Sequence, residues 1–135
     1  MLTRRQIDQV AKQIAAEFRP ERIILFGSHA NGTATADSDV DLLVVKRMRG
    51  DVVKKAAEIY SFIHTMTKSA FSVDVLVRTP AEMRHRIALN DFFLRDIVEN
   101  GKVLYESNLG RVGVESRSGP RRRVTRTSRS EVAKL

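Results

Sequence analysis

Two aspartates in the first third of the chain are spaced to hold a metal ion. Asp39 and Asp41 open an apolar run, Val40 to Val45, that is typical of a buried strand. Side chains two positions apart on a strand share a face, so both carboxylates point the same way. Like charges this close repel each other unless a cation lies between them, and Mg²⁺ prefers oxygen ligands. The pair therefore predicts a divalent metal site.

A third carboxylate, Asp74, lies in a later apolar run from Val73 to Val77. If this strand lies beside Val40–Val45, three carboxylates converge on one or two metal ions. Such a site is typical of phosphoryl or nucleotidyl transfer, in which metals stabilise both the attacking and the departing oxygen.

A Gly-Ser pair, Gly27 and Ser28, follows another predicted strand, Arg22 to Phe26. Glycine lets a phosphate approach the main chain closely, and serine supplies a hydroxyl. A helix that begins here would also direct its first amides at an anion. We therefore expect Gly27 and Ser28, together with Asp39 and Asp41, to bind a nucleotide.

Each feature taken alone has an ordinary structural interpretation. A Gly-Ser pair after a strand is often only a turn. An Asp-x-Asp pair can be a solvated strand edge, and Asp74 can be a strand residue that faces solvent. Aspartate is nevertheless disfavoured in strands, and three aspartates lie on or at the start of predicted buried strands. The combination favours a functional site.

The stretch from Leu25 to Val44, with sequence LFGSHANGTATADSDVDLLV, resembles the polymerase-beta-like nucleotidyltransferases. Within that superfamily it is most similar to the minimal nucleotidyltransferases that act as antitoxins to HEPN-domain toxins. The resemblance covers roughly residues 1–106. It implies an α/β fold with a small mixed β-sheet flanked by α-helices packed on one side, and an active site at the edge of the sheet.

The resemblance also implies an activity: transfer of AMP from ATP or another NTP to a hydroxyl. Asp39, Asp41 and Asp74 would be the catalytic residues and would hold two Mg²⁺ ions, with Asp74 helping to deprotonate the acceptor. The implied acceptor is a tyrosine of a partner HEPN toxin. His29 stands where many relatives carry arginine, and a neutral imidazole neutralises less phosphate charge than a guanidinium.

Two alternatives remain open from the sequence. One is a nucleotidyltransferase for small molecules, of the aminoglycoside-modifying type, although such chains usually contribute an additional acceptor-binding half. The other is a module that neutralises a toxin by forming a complex with it.

The amino-acid composition is typical of a globular protein. The 135 residues are 42% hydrophobic and 30% charged, which is ordinary for a globular protein, and include no cysteine. No apolar run approaches the length of a membrane span, and the N-terminus has the pattern of a polar amphipathic helix rather than a signal peptide. We expect a cytoplasmic protein without disulfides.

The positive charge is concentrated at the C-terminus. Residues 107–135 contain eight Lys or Arg against two Glu, and so account for +6 of the net charge of +8. We expect a nucleotidyltransferase domain at 1–106 and a basic, disordered tail at 107–135. The tail is either an idle extension or a weak contact for nucleic acid or an acidic partner.

The order of predicted elements is that of an α/β domain. We expect helices at about 4–19, 51–68, 80–89 and 91–99, strands at 22–26, 40–45, 72–77 and 102–105, and a short helix or loop after Ser28. Thr3 with Gln6 and Thr79 with Glu82 have capping-box spacing. Gly101 is expected to end the last helix in the left-handed conformation.

Overall fold

The computed structural model describes residues 2–107, which form one four-stranded mixed sheet with helices on both faces. The elements in chain order are α1 (Arg4–Phe18), β1 (Arg22–Phe26), α2 (Ser28–Asn31), β2 (Val40–Val45), α3 (Val52–Thr67), β3 (Val73–Arg78), α4 (Pro80–Ala88), α5 (Phe92–Asn100) and β4 (Lys102–Glu106). The predicted α/β fold is confirmed, and each predicted helix and strand is present within one or two residues of its expected bounds.

The strands lie in the order β3-β2-β1-β4. β1 is antiparallel to both β2 and β4, whereas β2 and β3 are parallel. The parallel pair is connected through α3, as a parallel crossover requires. This arrangement brings the end of β1 and the starts of β2 and β3 to one end of the sheet.

Two hydrophobic clusters cover opposite faces of the sheet. α1 and α3 pack on one face, against Leu25, Leu42 and Val44 among others. α4 and α5 pack on the other, against residues that include Ile24 and Leu43. The expectation that the helices pack on one side was wrong. The central strands are buried on both faces, and strands of this kind are continuously apolar rather than alternating.

The helix starts follow from local sequence. Thr3 and Thr79 each accept a hydrogen bond from the backbone of the third helical residue, whose side chain bonds back to the threonine amide. Both predicted capping boxes are therefore confirmed. Asp51 and Asp91 cap α3 and α5 by accepting hydrogen bonds from backbone amides. Such caps satisfy amides that the helix itself leaves without partners.

The conformation predicted for Gly101 was wrong. Its φ is −73° and its ψ is 170°, which is extended, because the chain passes directly from α5 into β4. Glycine is needed here for space: an added Cβ would lie 2.6 Å from Ile24 Cγ2 and 2.5 Å from the Ile97 carbonyl oxygen. The residues with positive φ at the C-terminal ends of helices are instead Arg19, Gly32, Lys68, Ser69 and Asn90.

The described residues end at Ser107, one residue after β4 and after the predicted domain. The Ser107 amide donates to the Glu21 carbonyl at 2.8 Å. The rest of the predicted tail, residues 108–135, lies outside the described residues. Within 2–107, no helix combines the length and apolar character needed to cross a bilayer.

Candidate active site

The carboxylates predicted to work together lie at the end of the sheet where β2 and β3 begin. Asp41 and Asp74 are register partners on these adjacent parallel strands, so their backbones are about 4.8 Å apart. Asp39 precedes β2 by one residue and is close enough to Asp41 to repel it electrostatically. We call this end of the sheet, with Phe26, Asp41 and Asp74, the acid end.

The crowding of negative charge changes the ionisation of Asp41. Its burial, and then the carboxylates of Asp74 and Asp39, raise the pKa of Asp41 above the ordinary value of 3.8. A side-chain hydrogen bond between Asp41 and Asp74 raises it further, and His29 acts in the opposite direction. A cation held between these carboxylates would favour their charged forms and would therefore compete with protons for the site.

Gly27 fits closely against this pair. Its φ of 74° and ψ of −156° lie in a region that is essentially accessible only to glycine. A Cβ built at this position would overlap Asp41 Oδ2 and lie 3.2 Å from Asp41 Cγ. The glycine therefore lets the loop after β1 lie directly against the Asp41 carboxylate.

α2 begins at Ser28, immediately after this contact. The amides of Ala30 and Asn31 donate to the Gly27 carbonyl at 3.0 and 3.1 Å. The amides of Ser28 and His29 are thus the donors that the short helix does not use itself. His29 lies 3.3 Å from the Ser38 carbonyl through Nε2, which ties α2 to the loop before β2.

Ser28 also lines a cavity of about 170 Å³. Its lining residues are Leu2, Arg4, Ile7, Ser28, His29, Gly32 and Ala34. Sequence reasoning missed Arg4, which it treated only as the first residue of a helix. No local signal could have found it, because Arg4 and Ser28 are 24 positions apart in the sequence, with most of α1 and all of β1 between them.

Exposed apolar side chains flank the acid end where α4 turns into α5. Phe93 packs edge-on against Phe26, with ring centroids 5.7 Å apart, and Phe26 is the register partner of Asp41. Phe92, Phe93 and Leu89 are 77%, 56% and 68% exposed. We call these three residues the apolar turn. Large apolar side chains exposed together are typical of an interaction site.

The donor chemistry at the acid end fits a divalent cation. Asp41 and Asp74 offer hard oxygen ligands, and the pKa of Asp41 is raised by burial and then by neighbouring negative charge, which a cation would neutralise. Across residues 2–107, no three His, Asp or Glu side chains form a complete metal cluster by themselves. Mg²⁺ is usually held by one or two carboxylates together with substrate phosphates, so an open carboxylate pair suits it.

Comparison with known proteins identifies the family. The family model for nucleotidyltransferase domains matches residues 7–104, which is most of the chain. A curated relative from Methanocaldococcus jannaschii, "Putative protein adenylyltransferase MJ0604", is 34% identical over 89 residues, covering 64% of this chain and 80% of the relative. The chain belongs to the nucleotidyltransferase domain family, and it is a nucleotidyltransferase.

Solved structures share the fold. A toxin–antitoxin complex with AMP-PNP contains a chain with a TM-score of 0.53 and 22% identity, covering 76% of this chain and 75% of that one. A mutant form of the toxin–antitoxin pair MntA-HpeT gives 0.51 and 19%, with the same coverage. The predicted minimal nucleotidyltransferase fold is confirmed by these likenesses.

Proposed function

We propose that this protein transfers AMP from ATP, with Mg²⁺, to a tyrosine hydroxyl of a HEPN-type toxin, and so acts as its antitoxin. The observation that carries the proposal is the pairing of Asp41 with Asp74 on adjacent strands, beside the glycine loop at Gly27. A carboxylate pair next to a phosphate-accessible backbone is the arrangement that nucleotidyl transfer requires.

Asp39, Asp41 and Asp74 are the proposed metal ligands. Two Mg²⁺ ions held there would neutralise charge on the attacking and departing oxygens. Asp74 is the more exposed member of the hydrogen-bonded pair, so it can be reached by an acceptor hydroxyl. Asp74 takes the proton of that hydroxyl, the oxygen bonds to the α-phosphorus, and the bond to the β-phosphate breaks to release pyrophosphate.

Gly27 and Ser28 are the proposed contacts to the triphosphate. Gly27 brings the main chain against Asp41, and Ser28 follows with a hydroxyl and an amide that α2 does not use. The phosphates of a nucleotide whose α-phosphorus lies at the acid end would therefore lie near the hydroxyl and amide donors of Ser28. Most of the catalytic effect of these residues is the positioning of the α-phosphorus for attack.

The apolar turn is the main reason to propose a protein as the acceptor. Phe93 lies beside the acid end through its contact with Phe26, and Phe92 and Leu89 are exposed in the same turn, so this surface can contact a partner whose tyrosine enters the site. The relative named as a protein adenylyltransferase, and the toxin–antitoxin context of the structural neighbours, support the same choice. Inhibition of the toxin by binding alone would use the same surface, so experiment must separate the two.

The test is to incubate the chain with α-labelled ATP, Mg²⁺ and the protein encoded by the adjacent gene. Intact-mass spectrometry should find one or more AMP units on that partner, and peptide mapping should place them on tyrosine. Asp39→Asn should give no adduct. Asp37→Asn, a change of an exposed acid in the same loop, is the matched control and should remain active.

Two outcomes would contradict the proposal. If the partner never gains AMP and Asp39→Asn neutralises it as well as the native chain does, inhibition is by binding. If label moves instead to hydroxyls of an aminoglycoside, the acceptor is a small molecule.

A further inference from the structure

The cavity beside Ser28 contains a permanent positive charge from an element that has no other part in the site. Arg4, in the first turn of α1, lines it together with Ser28, His29 and Gly32. The volume of about 170 Å³ is several times the ~30 Å³ that one water molecule occupies in the liquid. It therefore has room for an anion that remains partly hydrated.

The position of the cavity follows from the chain path around Gly27. Gly27 lies against the Asp41 carboxylate, and the next residue, Ser28, lines the cavity. A ligand whose reacting phosphorus lies at the acid end and whose phosphates continue along Ser28 would place its terminal phosphate next to Arg4.

Arg4 forms an ion pair that an anionic ligand can replace. In the structure its Nε lies 3.1 Å from Asp8 Oδ1, one helical turn along α1, and both side chains are about half exposed. Surface pairs of this kind contribute little to stability, so a more strongly charged anion can replace Asp8. The first turn of α1 contains no acidic residue that would repel such an anion.

We propose that Arg4 binds the terminal phosphate of the nucleoside triphosphate and makes the site selective for triphosphates over monophosphates. This inference rests on the proposed function. Arginine remains charged at any physiological pH and presents a planar fork of donors that matches phosphate oxygens. It would also stabilise pyrophosphate, which gains charge as the bond between the α- and β-phosphates breaks.

The experiment compares ATP and AMP binding, with Mg²⁺, to the full chain and to four variants. Arg4→Gln should weaken ATP binding by about tenfold or more, as expected for loss of a charged hydrogen bond, and should change AMP binding less than about twofold. Arg4→Lys should recover part of the ATP affinity. Asp8→Asn, which removes the competing carboxylate, should strengthen ATP binding.

Arg5→Gln is the matched control, because Arg5 is the exposed neighbour of Arg4, carries the same charge and does not line the cavity. It should bind ATP like the native chain and melt at the same temperature as Arg4→Gln. Equal ATP affinity in the native chain and Arg4→Gln would overturn the role of Arg4 and leave the proposed function standing. Failure of the native chain itself to bind ATP would contradict the proposed function, and with it the role of Arg4.

Discussion

The arrangement of charged groups differs between the two ends of the sheet. At the acid end, Asp41 and Asp74 are register partners on β2 and β3; burial and the neighbouring carboxylates of Asp74 and Asp39 raise the pKa of Asp41, and His29 acts in the opposite direction. At the opposite end, defined by Arg22, Val45 and Arg78, the charged groups have partners. Two of them make close contacts: Lys46 Nζ donates to the Phe18 carbonyl at 2.6 Å, and Arg47 lies 2.7 Å from Glu21.

Backbone groups at the opposite end are also hydrogen-bonded to each other. The Glu21 amide donates to the Val45 carbonyl at 2.7 Å, and the Lys46 amide donates to the Arg78 carbonyl at 3.0 Å. The same four-stranded sheet thus has one end whose polar groups bond to each other and one end at which carboxylates are crowded together. The proposed function places the chemistry at the acid end, and the contacts at the opposite end contribute to stability.

The largest expected effect is on turnover at the acid end. Asp74→Asn should reduce AMP transfer roughly 10²- to 10⁴-fold, the range that general acid–base groups contribute, while nucleotide binding remains measurable. Single-turnover transfer and ATP binding are measured on the same preparation. Near-native transfer by this variant would remove Asp74 from the site.

Two glycines with positive φ, one near each end, allow a matched comparison. Gly27→Ala should cost about 1–3 kcal/mol for its backbone conformation and should also displace Asp41, so both stability and transfer fall. Gly50 has a φ of 94°, and a Cβ added there would meet no atom of residues 2–107 within 4 Å. Gly50→Ala should therefore lose stability alone. Denaturant unfolding and transfer assays check this, and unchanged transfer in Gly27→Ala would contradict the contact with Asp41.

The pH dependence of stability should differ in sign between two carboxyls. The pKa of Asp41 is raised, so the folded state binds its proton more readily than the unfolded state does. As pH rises from the ordinary value of 3.8 through the raised value, this group should lower the free energy of unfolding. Asp41→Asn should remove that loss.

Asp91 provides the control with the opposite sign. Its pKa is lowered, chiefly by the hydrogen bond from the Leu94 amide and then by Arg86, so its contribution to stability is lost as pH falls through the lowered value. Unfolding curves recorded in a chelator between pH 3 and 7 should separate Asp41→Asn from Asp91→Asn. The same direction of change in both variants would contradict the assignment of charge crowding to the acid end.

The smallest expected effect is at the opposite end. Arg47 is 79% exposed in its pair with Glu21, so Arg47→Gln should change the free energy of unfolding by less than about 1 kcal/mol. Transfer should not change, because Arg47 lies at the end of the sheet away from the carboxylates. A marked loss of transfer would show that the two ends are coupled.

Local sequence was sufficient to predict most of the fold. The threonine caps, the helices and the short strands depend on neighbouring residues, and they lie where they were expected within one or two residues. The nearly continuous apolar run Val40–Val45 is also typical of a strand covered on both faces, and the structure buries it almost without interruption. The family resemblance implied helices on one side only, and that expectation was wrong.

Contacts between distant segments could not be predicted in this way. The sequence indicated that Asp74 would join Asp41 only if β3 lay beside β2, and the register that pairs them is a property of the assembled sheet. The error at Gly101 has a similar origin. Its residue type suggested a left-handed conformation, whereas the reason for glycine is the proximity of Ile24 on a different strand. Arg4 and Ser28 likewise line one cavity only in the folded chain.

The most direct test of the central claim is to locate a bound divalent ion along the sheet. Mn²⁺ takes the same oxygen ligands as Mg²⁺ and broadens the NMR signals of nearby amides. β2 spans about 17 Å, so its two ends can be distinguished. With a non-hydrolysable ATP analogue, Mn²⁺ should broaden Gly27, Ser28 and Val73 and leave Val45 and Arg78 sharp.

Asp41→Asn should abolish this pattern, and Asp37→Asn should preserve it. Broadening centred on Val45 and Arg78, or a pattern at Gly27 that survives Asp41→Asn, would contradict the claim that the acid end binds the metal and the nucleotide.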